Sequence, residues 1–124
     1  MTRQRAVQWL DEPEEADYPA AASYLTLLYK PQVVRSRVLA LRRAAQTSFH
    51  AKDLLRASDL PLLPLTNHHV KHDEAKILAG TKLSPLLLVR KSQQEGLIIA
   101  DGYHRLCAVY AHDEDAVIPC RIVG

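Results

Sequence analysis

Two continuous apolar runs mark the second half of the chain, Leu86-Leu87-Leu88-Val89 and Leu97-Ile98-Ile99-Ala100, with the polar, turn-like stretch Lys91 to Gly96 between them. Runs of this length without polar alternation predict strands buried on both faces. Val117 to Val123 predicts a further strand, with Pro119 near its start, and Gly102 to Tyr110 predicts a helix between the second and third strands. The acidic stretch His112 to Asp115 reads as a turn. The first half has a different rhythm. Ala21, Tyr24, Leu25 and Leu28 recur at helical spacing within Ala20 to Tyr29. Asp17-Tyr18-Pro19 reads as the start of that helix, with Asp17 able to cap and proline tolerated in a first turn. Lys30-Pro31 interrupts it, because proline disfavours helical geometry in the residue before it. A second helix is predicted over roughly Pro31 to Ala45, with Val34, Val38 and Leu41 as its buried stripe and Arg35, Arg37, Arg42 and Arg43 on the other faces.

The middle of the chain is less regular. Thr47 to Ala51 predicts a short strand, and Asp53 is placed to cap a short helix over Leu54 to Ser58. Leu60-Pro61-Leu62-Leu63-Pro64-Leu65 cannot be a regular helix or a central strand with prolines at those places, and is expected as an apolar loop pressed on the core. Asn67 or His68 opens another helix, roughly His69 to Ala79, closed by Gly80. Residues 1–15 are polar and acidic and are expected to form a poorly ordered arm or a loose cap. Helices first and mixed strands and helices afterwards predict a small α+β fold, a mixed sheet with helices and an N-terminal helical extension.

Composition narrows the class. A chain of 124 residues suits one domain, and 48% apolar with 24% charged residues describes an ordinary globular protein. A net charge of +2 argues against a strongly basic nucleic-acid binder while leaving room for a local patch. The arginines of 35 to 43 read as a solvated face. No apolar run approaches the length of a membrane span, and Met1 to Trp9 lacks the apolar stretch of a signal peptide, so a cytoplasmic location is expected. Cys107 and Cys120 belong to no Cys-x-x-Cys pair and are expected as buried, reduced thiols.

The chemistry concentrates at Asp101-Gly102-Tyr103-His104-Arg105, where the second buried strand runs into a helix. Glycine permits close backbone approach, and the helix start presents unpaired N–H groups and the positive end of its dipole. Together these form an anion site. Arg105 suits a bidentate grip on phosphate or carboxylate, and His104 can donate a hydrogen bond or exchange a proton near neutral pH. Asp101 could cap the helix, orient Arg105 or hold a metal ion near a bound phosphate. The plainer alternative makes Asp101 a helix cap and pairs Arg105 with a carboxylate such as Glu114. His68 and His72 share a helix face at a spacing that can ligate zinc, but no third ligand is evident, so no metal site is assigned. Asn67, His69 or Lys71 either reaches the turn from the neighbouring segment or is a plain surface residue, and the same two readings stay open for His50. Tyr18, Tyr24 and Tyr29 read as packing residues rather than a stacking platform.

The stretch Ser84 to Val123 resembles the ParB/sulfiredoxin superfamily. The resemblance rests on Pro85-Leu86-Leu87-Leu88-Val89, Leu97-Ile98-Ile99-Ala100, Gly102-Tyr103-His104-Arg105, Ala108 and Ile118-Pro119-Cys120-Arg121-Ile122. Residues 47 to 83 match it loosely and residues 1–46 have no counterpart, which implies an N-terminal arm and helical extension over 1–46 and a ParB/sulfiredoxin-like domain over 47–124. In ParB proteins the corresponding Gly-Glu-Arg-Arg turn binds the phosphates of CTP. In sulfiredoxin a Gly-Cys-His-Arg turn holds ATP and its cysteine performs the sulfur chemistry. Tyr103 stands where that cysteine would be, so the resemblance does not carry sulfiredoxin activity here. A partitioning role is not expected either, for the chain lacks a following helix-turn-helix domain and a dimerisation tail.

The resemblance thus implies a small phosphorylated ligand, ATP or CTP with magnesium, bound by Asp101, Gly102, Tyr103, His104 and Arg105. Whether the protein is an enzyme stays open. A phosphoryl-transfer or hydrolytic version would use His104 as acid/base. A regulatory version would keep the fold without the ligand and use the N-terminal helices for homodimerisation or partner docking.

Overall fold

The computed structural model describes residues 6–91 and 93–124. The chain forms helix α1 (Asp17–Leu25), helix α2 (Pro31–Arg43), strand β1 (Thr47–His50), helix α3 (Ala51–Ser58) and helix α4 (His68–Ala79). Strand β2 (Leu86–Arg90), strand β3 (Leu97–Asp101), helix α5 (Tyr103–His112) and strand β4 (Val117–Val123) complete it. This is a small α+β fold with a four-stranded mixed sheet ordered β1-β4-β2-β3. β4 pairs antiparallel with β1 and parallel with β2, and β2 pairs antiparallel with β3. In the last pair Leu88 faces Ile99 but Leu87 faces Asp101, so the register slips by one residue just before the Gly102 turn. Such a bulge bends the strand and re-aims the residues beyond it.

The apolar runs are buried on both faces, as their continuity predicts. Leu86 and Leu88 of β2, with Leu97 and Ile99 of β3, join one core packed by α3, α4 and α5. Leu87 and Val89, with Ile98 and Ala100, join a second core formed by Tyr18, Ala21 and Leu25 of α1 and Val34 and Leu41 of α2. Each fully buried aliphatic side chain contributes about 1.5–3 kcal/mol of transfer free energy as an upper estimate. β3 is an edge strand, yet it is sandwiched like a central one because α1 covers one face and α3 the other. Cys107 and Cys120 are buried free thiols in the first core.

Four local expectations are corrected. The described part of the N-terminal arm is docked rather than loose. Leu10 N–H donates to Leu83 O at 2.8 Å, Leu83 N–H donates to Gln8 O at 2.8 Å, and Val7 and Trp9 pack on the first core. Backbone pairing outweighs the polar composition there; residues 1–5 lie outside the described ones. Asp17 is not a cap: Ala16 holds the N-cap position and Asp17 is buried in the first turn. Asp53 is likewise inside α3, which begins at Ala51 after an N-cap at His50, and lies 3.5 Å from Arg56. The loop from Leu60 to Leu65 turns only Leu63 onto the core, while Leu60, Leu62 and Leu65 are exposed. The prolines deny the loop a regular period, so its leucines cannot all face one way.

Candidate functional site

The turn between β3 and α5 is built around Gly102, whose φ of 112° places it in the left-handed region at the N-cap of α5. A Cβ there would stand 2.6 Å from Leu86 Cγ and 3.0 Å from the Arg105 Nη2. Glycine is therefore required twice, for its dihedral and for the closeness of β2 behind it. No side chain caps α5, so its first-turn N–H groups look for partners outside the helix. A small cleft of about 160 Å³ lies against this turn, lined by Asp101, Gly102, Tyr103, His104 and Arg105 together with His69, His72 and Asp73 of α4. All five residues singled out at the turn in the sequence are thus brought to one cleft.

Arg105 is held rather than free. Its Nη2 lies 2.8 Å from Asp101 Oδ2 and 3.8 Å from Asp17 Oδ2, and donates to Pro85 O at 3.4 Å. Of the roles open to Asp101, orienting Arg105 is the one its contacts display. The pairing with Glu114 is replaced by these two carboxylates. Asp17 in turn accepts a hydrogen bond from Ser84 Oγ, and Ser84 Oγ accepts one from Glu14 N–H at 3.0 Å. The arm, α1, β3 and the start of α5 are joined through one buried polar chain. The side chains of Arg105, Asp17 and Asp101 are only 16%, 12% and 17% exposed, so their attraction is weakly screened. Burial is the largest influence on Asp101 and raises its pKa; Arg105 opposes that and nearby Asp17 adds to it. Arg105 Nε is buried without a hydrogen-bond partner.

Tyr103 and His104 form the open side. Tyr103 OH donates to Pro61 O, tying the proline-rich loop to the turn. The His104 ring lies 4.8 Å from the His69 ring and 5.7 Å from the Tyr103 ring, centre to centre. Desolvation holds the His104 pKa below the usual histidine range, His69 lowers it further and Asp73 opposes both. A neutral imidazole offers one N–H donor and one nitrogen acceptor.

The neighbouring candidates divide. Of Asn67, His69 and Lys71, only His69 lines the cleft. Asn67 caps α4, accepting from His69 N–H at 3.0 Å and Val70 N–H at 3.2 Å, and in doing so sets where His69 stands. His72 also lines the cleft, while His68 stacks edge-on against His69 at 5.4 Å. Among the described residues no group of three or more His, Cys, Asp or Glu could hold a metal ion. His50 lies outside the cleft, 3.9 Å from Asp53. Sequence reasoning missed Asp17, Ser84 and Asp73. A signal existed for Asp73 alone, four positions after His69 and so on the same helical face.

No family model matches the chain, and no curated protein or solved structure is significantly similar to it. Among the described residues no helix is long and apolar enough to cross a membrane.

Proposed function

We propose that the protein binds a small phosphorylated ligand, seating one phosphate at the start of α5, in the manner of a ParB/sulfiredoxin-like protein. The observation that carries this reading is the uncapped, glycine-turned N-terminus of α5 facing a cleft beside two imidazoles. First-turn N–H groups and the helix dipole attract an anion, and His104 and His69 supply further donors. Arg105, which Asp101 and Asp17 hold behind the turn, offsets part of their negative charge so that the helix start can admit an anion. A cleft of about 160 Å³ admits a phosphate but not a whole nucleotide. The base and sugar of ATP or CTP would therefore lie outside it. Magnesium accompanying those phosphates would face Asp73, because Asp101 is engaged by Arg105.

Isothermal titration with ATP, CTP, ADP, GTP and inorganic phosphate, with and without magnesium, tests the proposal. Binding is expected to weaken at least tenfold in His104→Ala and in His69→Ala. No binding at millimolar ligand, or unchanged binding in both variants, would overturn it. Arg105→Ala is not the variant to use, since it strips the cation from two buried carboxylates.

A second reading makes the site an enzyme. It is favoured by the depressed His104 pKa, which keeps that imidazole neutral and able to accept a proton at neutral pH. His104 would then act as general base in nucleotide hydrolysis or phosphoryl transfer. The expected result is phosphate release that disappears in His104→Ala. No release from any of the four nucleotides would remove this reading and leave the first intact.

A further inference from the structure

β3 ends the sheet, and its edge turned away from β2 lines a groove of about 470 Å³. One wall is Tyr24, Leu28 and Tyr29, from α1 and the turn after it; the other is Ser58 and Leu60 at the end of α3. Among the described residues, outward-facing backbone groups between these walls have no hydrogen-bond partner. Lys91 N–H donates to Gly96 O at 3.1 Å, which makes 91 and 96 a hydrogen-bonded pair of the hairpin. Such pairs alternate in an antiparallel ladder. With Arg90 facing Leu97 and Leu88 facing Ile99, the N–H and C=O of Leu97 and Ile99 must point away from β2. No other described strand pairs with them.

We propose that this groove binds an extended, acidic peptide segment of a partner protein, which adds to β3 as a fifth strand. An extended backbone is the partner that matches the spacing of the edge groups. Alternate side chains of the added strand would point to the tyrosine–leucine wall and to the Leu60 wall. Tyr24, Leu28 and Leu60 are 44%, 49% and 36% exposed, and await cover. Leu97, Ile98 and Ile99 are each less than a tenth exposed although they belong to an edge strand, because the walls rise on both sides of it. A recessed edge admits one thin chain but resists the equally flanked edge of a second copy. The charge is selective as well: Lys91 lines the groove and no carboxylate does among the described residues. β3 spans five residues, on the order of 17 Å, so the segment recognised is about five residues long.

Selection of a random linear peptide display library on the full chain tests this. The expected winners alternate apolar residues, carry a carboxylate and lack a central proline. Their binding should slow amide exchange at Leu97 and Ile99 at least tenfold. N-methylation of the bound peptide should cost tenfold at alternate positions and little between them. Leu28→Glu, at an exposed position, should weaken binding at least tenfold, and Lys91→Glu should abolish the preference for a carboxylate. Three results would overturn the proposal. They are no enrichment, bound peptides that leave Leu97 and Ile99 exchange unchanged, and a protein that is already a dimer dispersed by Leu28→Glu. The last would assign the groove to a second copy.

Discussion

Replacing Arg105 with leucine would remove the cation that stands between Asp101 and Asp17 while keeping most of the apolar stem of the side chain. In the wild-type protein the guanidinium is 2.8 Å from one carboxylate and 3.8 Å from the other, and all three side chains are less than a fifth exposed. Breaking a buried pair costs about 3–5 kcal/mol, chiefly because the partner charge stays buried without compensation. The loss here should fall in that range, a large share of the about 5–15 kcal/mol that holds a domain of this kind folded. With a urea slope of about 2 kcal/mol/M, the denaturation midpoint should drop by about 1.5–2.5 M at pH 7.

The pH dependence supplies the sharper check. Asp101 already titrates above the usual carboxylate value, so the folded state holds its proton more tightly than the unfolded state does. A carboxyl shifted in this direction stabilises the fold as pH falls through its raised pKa toward the usual value, and loses that contribution as pH rises. Without Arg105 the shift should grow, and the variant's deficit should shrink as pH is lowered from 7 toward the usual carboxylate value. The double variant Arg105→Leu with Asp101→Asn should recover at least about 1 kcal/mol, since a neutral amide replaces one of the stranded charges. A deficit below about 1 kcal/mol, or one that does not change as pH falls from 7 to the usual carboxylate value, would refute the argument that buried charge holds α5 to α1.

Other expectations rest on single contacts. Gly102→Ala should cost on the order of 2–4 kcal/mol in urea denaturation, combining an unfavourable φ of 112° with a Cβ pressed 2.6 Å from Leu86; a loss under about 1 kcal/mol would mean the turn relaxes freely. The His104 imidazole, followed by NMR, should titrate below the ordinary histidine range, move up in His69→Ala and move further down in Asp73→Asn. Because the unfolded chain holds that proton more tightly, His104 should lower stability as pH falls through the ordinary histidine value. Burial pushes the Cys120 thiol up to about 12 and raises that of Cys107, so both should resist thiol reagents at pH 8 in the folded protein and react at the rate of unfolding. Fast labelling of either cysteine in native buffer would contradict their burial.

The local pattern determined much of this protein without help. Continuous runs at Leu86 to Val89 and Leu97 to Ala100 required strands covered on two sides, because no polar face was available to meet water. Gly80 and Asn67 marked the ends of α4, and the Gly102 turn marked the start of α5, through dihedral freedom and side-chain capping that depend on a few neighbouring residues. The misplacements at Asp17 and Asp53 arose because an acidic residue is equally at home at a cap and in a first turn. The tertiary structure alone decided the rest. It brought Asp17 and Ser84 to Arg105, set His69 against His104 and recessed the β3 edge between two walls. Periodicity records whether a side chain faces water or core, but not which distant charge it meets once buried. That choice depends on the order of strands and on how α1 and α4 lie across them, so the Gly-x-His-Arg turn was legible in the sequence while the residues that hold and surround it were not.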